Sequence, residues 1–287
     1  MTKFKPILAI VCAAFCCISS TYATSLSDQP VRIVSAGGSV TEIIYALGAQ
    51  NRLVGVDSSS IFPAQAVNIP NVGYYRQLST EGLLSVDPTL IIGLETMGPS
   101  SVLSQLEEIG IPFEILPVQR SVNGLITQIE AIGQLVDREA NAMQLIDNIK
   151  AQLSTVPSLA GTRQKIVFLM SANQRGLTAA GTDTVPDLLF KLTGMSNPFS
   201  NIEGFKPISK EVLLQMNPTL ILIPNHQRLE RSEEQVCDLP SLRLWASSQG
   251  CNVKFVDSLS FLGMTPRLPI AAQKLVEMVL ALENKGA

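Results

Sequence analysis

Three consecutive side chains, Tyr74, Tyr75 and Arg76, set two phenols and a guanidinium side by side. A phenol that gives up its proton is a hard anionic donor suited to a ferric centre, and a guanidinium close by favours the phenolate. The stretch VGYYRQLSTEGLLSVDPTLIIG (72–93) sets them just ahead of a helix start, in a chain with only 4 tyrosines and 1 histidine. As bare residue types they read equally well as ordinary loop aromatics. In an extended segment adjacent side chains point to opposite faces, so the two tyrosines cannot easily serve one metal.

Other reactive sets are missing. A serine triad needs a histidine, and His226 has no GxSxG nucleophile motif to serve. The turn SAGGSV (35–40) follows a strand and opens a helix, but it lacks the GxGxxG spacing of a dinucleotide loop. One histidine and two late cysteines fall short of a zinc set. No enzyme emerges from these residues.

The elements that must hold Tyr74 in place repeat along the chain. LSTEGLLSVDPTLII (78–92) aligns with ISKEVLLQMNPTLIL (208–222) at an offset of 130, with eight identities in the 14 positions that start at Ser79 and Ser209. In each copy a serine is placed to cap a short helix, Glu81 or Glu211 sits in the first turn where the dipole favours a carboxylate, and a proline ends the helix before a buried strand. RIVSAGGSVTEIIYALGAQNRLVGV (32–56) reads as strand, glycine turn, helix and strand, and KIVFLMSANQRGLTAAG (165–181) opens a second such unit. The expectation is an α/β protein of two Rossmann-like lobes, 24–120 and 157–287, each with buried parallel strands. Segment 121–156, apolar at Leu125, Ile129, Ile132, Leu135 and Val136, predicts one long connecting helix. Two lobes on a stiff connector leave a ligand cleft between them.

In such sheets ligands sit outside the carboxyl ends of the strands. The loops expected there hold Tyr74, Tyr75, Arg76, Phe205, Lys206, His226, Arg228, Phe261, Met264 and Arg267. An aromatic, methionine-bearing and cationic lining suits a flat apolar ligand with anionic edges.

Composition fixes the setting. Of 287 residues, 46% are hydrophobic, enough for sizeable cores. Residues 1–23 have Lys3 and Lys5, no acid, an apolar run from Ile7 to Ile18 and a small-residue end at Ala23, the layout of a signal peptide. Its removal takes two lysines and no acid, moving the formal charge from −3 to −5, so nucleic acid is not an expected partner. It also leaves only Cys237 and Cys251, an even pair that an oxidising compartment would join in a disulfide. The expectation is a monomeric periplasmic protein.

RIVSAGGSVTEIIYALGA, VGYYRQLSTEGLLS, FLMSANQRGLTAAG and GFKPISKEVLLQMNP together resemble the haem-binding periplasmic proteins of bacterial haem ABC importers, within the rigid-helix class that includes vitamin B12 and siderophore binders. The resemblance implies ferric haem b as the transported ligand, Tyr74 as its axial iron ligand with Arg76 beside it, and Tyr75 as packing or pocket wall. It implies that Glu81 and Glu211 dock on an inner-membrane ABC permease. Lys206, Arg228 and Arg267 are the candidates for the propionates, and Met264 for the wall. Some relatives carry a histidine for a second haem where this chain has Ala172. His226 lies on a different loop, so one haem is expected, with His226 only a remote second ligand.

Overall fold

The computed structural model describes residues 31–173, 176–227 and 232–285. The signal-peptide segment and Arg228 fall outside them. Strands β1 (Ile33–Ala36), β2 (Leu53–Val56), β3 (Leu90–Leu94) and β4 (Phe113–Leu116) form a four-stranded, all-parallel sheet in the order β2-β1-β3-β4. The helices α1 (Gly38–Ala46), α2 (Thr80–Leu84) and α3 (Ser100–Glu108) join them.

The segment expected as one connecting helix is two, α4 (Val122–Leu135) and α5 (Glu139–Ser154), packed on each other. No Gly or Pro marks the break. Asp137 takes a left-handed conformation (φ 48°), which aspartate tolerates better than most residues, and its carboxylate meets Arg52 Nη1 at 2.9 Å. The two helices approach so closely at Gly133 that a Cβ there would sit 2.7 Å from that of Ala142.

The second sheet holds β5 (Ile166–Asn173), β6 (Gly176–Ala180), β7 (Phe205–Ile208), β8 (Leu220–Pro224) and β9 (Val253–Val256), in the order β7-β6-β5-β8-β9. Helices α6 (Val185–Leu192), α7 (Lys210–Met216), α8 (Glu233–Cys237), α9 (Arg243–Gln249), α10 (Ser258–Leu262) and α11 (Leu268–Lys285) complete it. The sheet is mixed, which corrects the expectation of parallel strands in both lobes. β5, β8 and β9 run parallel, while β5, β6 and β7 form an antiparallel meander. What reads as a strand followed by a loop in FLMSANQRGLTAAG is a hairpin, and Ser171 Oγ meets Thr178 Oγ1 across it at 3.0 Å.

The repeated unit folds the same way twice. Ser79 accepts a hydrogen bond from Gly82 N–H at 3.0 Å and Ser209 from Val212 N–H at 3.3 Å. Asp87 and Asn217, also 130 residues apart, both adopt a left-handed conformation ahead of a buried proline. Thr89 Oγ1 then accepts from Arg32 N–H, and Thr219 Oγ1 from Lys165 N–H, stitching each unit to the start of β1 or β5. The strand that follows, β3 or β8, lies between two parallel neighbours in its sheet.

Each sheet has an apolar cluster of its own on one face, and a third cluster is common to both. One apolar cluster runs from Ile33, Ile44 and Ile92 through Leu125, Ile132 and Ile146 to Phe168, Leu222 and Val276. The helices α1, α4, α5, α6 and α11 supply much of it, so the lobes share a packed base. Cys237 and Cys251 are bonded to each other, with 5.9 Å between their Cα atoms.

Candidate functional site

The carboxyl ends of the first sheet are organised by one buried carboxylate. Asp57, just past β2, accepts from Gly37 N–H (3.0 Å), Ser59 N–H (3.0 Å) and Ser60 Oγ (2.8 Å). Thr41 joins the hydroxyls of Ser35 and Ser60 behind it. Gly38 donates to Ser59 Oγ at 2.9 Å, and a Cβ at Gly38 would come within 2.5 Å of the Ser59 carbonyl oxygen, so the turn SAGGSV needs glycine there for close approach. SAGGSV is thus a tight connection from β1 into α1.

The tyrosine segment is laid onto this frame. Val72 N–H donates to Val56 O (2.9 Å) and Ser58 N–H to Gly73 O (2.8 Å). Beyond Gly73 the chain turns, with Gln77 N–H on Tyr74 O at 2.7 Å, and Gly98 N–H holds Tyr75 O at 3.0 Å. Tyr75 is half-buried against the cluster of Val72, Leu78 and Met97, whereas Tyr74 is 41% exposed. Their rings meet edge to face at 4.8 Å.

Arg76 serves the other tyrosine from the one expected. Its Nε donates to Tyr75 Oη at 2.9 Å and its guanidinium lies 5.3 Å from the centre of the Tyr75 ring. Tyr75 is thereby pinned from both sides. The Tyr74 phenol is held above the ordinary tyrosine value, first by the part-burial of its ring, then by the adjacent Tyr75 phenol, with the Asp57 charge adding and Arg76 opposing.

Arg267 also departs from its expected place. It donates from Nε and Nη2 to the two oxygens of Glu42 (3.0 and 2.9 Å) and from Nη1 to Asp257 Oδ1 (3.0 Å). Glu42 belongs to α1 of the first lobe; Asp257 follows β9 in the second. A bidentate pair plus a third carboxylate accounts for this guanidinium, which corrects its assignment to propionates. Burial raises the Glu42 carboxyl above its ordinary value, outweighing the pull of Arg267. Burial acts in the same sense on Asp257, but the Ser260 backbone and hydroxyl together with Arg267 outweigh it and hold that group low. Met264, 3% exposed, belongs to the shared core beside Phe261 and Leu268, and so is not cleft wall. A second ion pair, Arg120 to Asp183 at 3.0 Å, joins the lobes in a more exposed position.

On the second lobe Phe205 and Lys206 stand exposed on β7, opposite Ala180 and Ala179. His226 follows β8. Ser258 N–H donates to Asn225 Oδ1 (3.1 Å), which identifies that atom as the oxygen, so the 2.7 Å contact between Ser258 Oγ and Asn225 Oδ1 uses the only hydroxyl proton. The 2.7 Å contact from His226 Nδ1 to Ser258 Oγ must then be an imidazole N–H donation, leaving the lone pair on Nε2. Burial lowers the His226 value from that of a free imidazole and so favours the neutral ring. Ser258 has no proton to spare for His226 and is no activated nucleophile.

Glu81 and Glu211 project from the first turns of α2 and α7, both exposed. Sequence reasoning missed Glu42, Asp57, Asp257 and Phe62. Glu42 alone left a signal, as a carboxylate within the apolar run of α1 that needs a cation from elsewhere.

A family model described as periplasmic binding protein matches residues 33–247. Among solved structures, the periplasmic haem-binding protein HutB of Vibrio cholerae is 33% identical with a TM-score of 0.79, over 88% of this chain and 99% of that one. The periplasmic haem-binding protein RhuT of Roseiflexus sp. RS-1 is 30% identical with the same TM-score and the same coverage. The vitamin B12-binding protein of Vibrio campbellii is 24% identical over 204 residues, 70% of this chain and 74% of the relative.

Proposed function

Because this chain belongs to the periplasmic binding protein family, non-enzymatic proteins that hand ligands to ABC importers, we propose that its ligand is ferric haem b, bound through Tyr74. The observation that carries the reading is the division of the tyrosine pair: Tyr75 is half-buried and fixed by packing and by Arg76, while Tyr74, beside it at the carboxyl rim of the first sheet, is the more exposed of the two. Ferric iron supplies the driving force to take the proton from a phenol held above its usual value. The names of the two solved relatives at 30% and 33% identity support haem over a corrinoid.

Of the cations expected to meet a propionate, Lys206 stands exposed on β7, and Arg228, two positions after His226 in the sequence, is the second. One haem binds per protein. Residues 1–23 direct export to the periplasm, where the monomer meets an inner-membrane permease through Glu81 and Glu211. These two carboxylates sit at matching points of the repeated unit, one per lobe, which suits a partner with two equivalent basic sites.

A titration with ferric haem, cobalamin and a ferric siderophore tests the assignment. Haem should give a high-spin ferric phenolate charge-transfer band that Tyr74→Phe abolishes; an unchanged spectrum in that variant refutes the ligand. Retention of a second haem in native mass spectra, lost in His226→Ala, would refute the single-haem stoichiometry. Charge reversal at both Glu81 and Glu211 should leave haem affinity intact and stop uptake.

A further inference from the structure

Phe62 carries an unassigned role. It closes the loop that Asp57 anchors, and its ring is 39% exposed. Across from it, the guanidinium carbon of Arg267 lies 3.8 Å from the ring centre, full stacking contact on one face. Arg267 is 16% exposed and fixed in orientation by its three bonds to Glu42 and Asp257. The ring plane is thus set by a support that cannot rotate without breaking a buried ion pair.

The placement is also specific. Phe62 comes from the first lobe, Arg267 from the second, and Glu42 and Asp257 tie the pair to both, at the carboxyl side of both sheets. Ser58, four residues earlier, is bonded to Gly73, so the Phe62 loop and the Tyr74 loop form one rim. Ile61, 52% exposed, extends the apolar surface next to the ring.

We propose that Phe62 is the stacking platform of the ligand site, its free face receiving the flat macrocycle, and that Arg267 is a positioning residue acting through it. This rests on the haem reading for the ligand, but the platform itself recognises the planar conjugated ring and not the iron. An aromatic ring held in place before binding loses little freedom when a second ring stacks on it. With its charge balanced by two carboxylates, Arg267 contributes orientation instead of attraction for propionates.

The test is equilibrium titration of the full mature protein and its variants with two probes, ferric haem and metal-free protoporphyrin IX. Phe62→Leu keeps the volume apolar and removes the π face; it should weaken both probes about tenfold, equivalent to about 1.4 kcal/mol. Phe62→Tyr should stay within about twofold of the parent. In Phe62→Leu the phenolate band of bound haem should persist, since Tyr74 is untouched. Arg267→Met should also weaken both probes, and Phe62→Leu should add little in that background. Parental affinity of Phe62→Leu for both probes overturns the platform while leaving the haem assignment standing. A parent that binds metal-free porphyrin as well as haem, with both weakened in Phe62→Leu, upholds the platform and removes Tyr74 as ligand. Binding of neither probe by the parent overturns both.

Discussion

Replacing Arg267 by Met tests the energetic reasoning about the link between the lobes. The substitution keeps an unbranched side chain in place and leaves Glu42, 3% exposed, with no cation. Removing one partner of a buried ion pair costs about 3–5 kcal/mol, because the survivor is a charge without compensation. Glu42 has an escape, however. Burial already holds its carboxyl above the ordinary value against the pull of Arg267, and without that pull the value climbs further. The sign then follows from linkage. A group whose folded pKa lies above the unfolded one contributes stability that is present at low pH and lost as pH rises through the folded value. Loss of Arg267 also weakens the force holding Asp257 low, and that contribution is one present only above the unfolded carboxylate value. Both effects push the same way.

The Asp257 part of the destabilisation should therefore already be present near pH 4.5, above the unfolded carboxylate value, and the rest should grow towards pH 7 by at most about 1.4 kcal/mol per pH unit as Glu42 ionises. At pH 7 it should reach about 3 kcal/mol, the low end of the range, because Glu42 can take up a proton. For a chain of this size that corresponds to a fall in Tm of about 6–12 °C. Urea unfolding of the parent, Arg267→Met, Glu42→Gln and the double variant across pH 4.5–7.5 measures it. The double variant should recover part of the loss and flatten the pH dependence. A pH-independent difference below about 1 kcal/mol in Arg267→Met would refute the argument and reduce the cluster to a surface pair.

Three further outcomes follow from the geometry. Since Tyr74 is held above the usual tyrosine value, loading ferric haem at pH 6 should release about one proton into weakly buffered indicator, and Tyr74→Phe should release none. Removing the disulfide as Cys237→Ser with Cys251→Ser opens a loop with a sequence separation of 14 and should cost about 3 kcal/mol in urea unfolding. Ser79→Ala and Ser209→Ala each delete a capping acceptor and should each lower stability by about 1 kcal/mol by the same assay, with nearly additive effects since the caps lie in different lobes.

What the sequence revealed follows the range of the interactions involved. The capping serines, the glutamates after them and the prolines between each helix and the next strand act within a few residues, and the repeat made them readable twice. The break between α4 and α5 left no such mark, because Asp137 reaches a left-handed conformation without Gly or Pro and finds Arg52 85 residues away. The antiparallel β5–β6 hairpin hid for a related reason: buried parallel and antiparallel strands have the same apolar composition, and only pairing separates them. At the site, Tyr74 and Arg76 stood out by residue type, yet the Arg76 partner is Tyr75, a choice made by how Tyr75 packs on Leu78 and Met97. Arg267 and Glu42 are 225 positions apart, beyond the reach of any local pattern.

The same distinction explains why the two halves match at one surface and differ at the other. A helix cap is satisfied by its own serine, so the unit from Ser79 to Thr89 can recur at Ser209 to Thr219 whatever faces it, down to the left-handed Asp87 and Asn217. The residues just ahead of that unit do not repeat. There the first half has Tyr74, Tyr75 and Arg76, docked on the Met97–Gly98 loop, while the second has Phe205 and Lys206 on an edge strand. If the ligand is the proposed haem, a single planar ring with one metal axis needs different groups on its two sides, and it is at these positions that the repeat lapses. On the proposed reading, the symmetric carboxylates suit a two-fold partner and the asymmetric rim suits a single ligand.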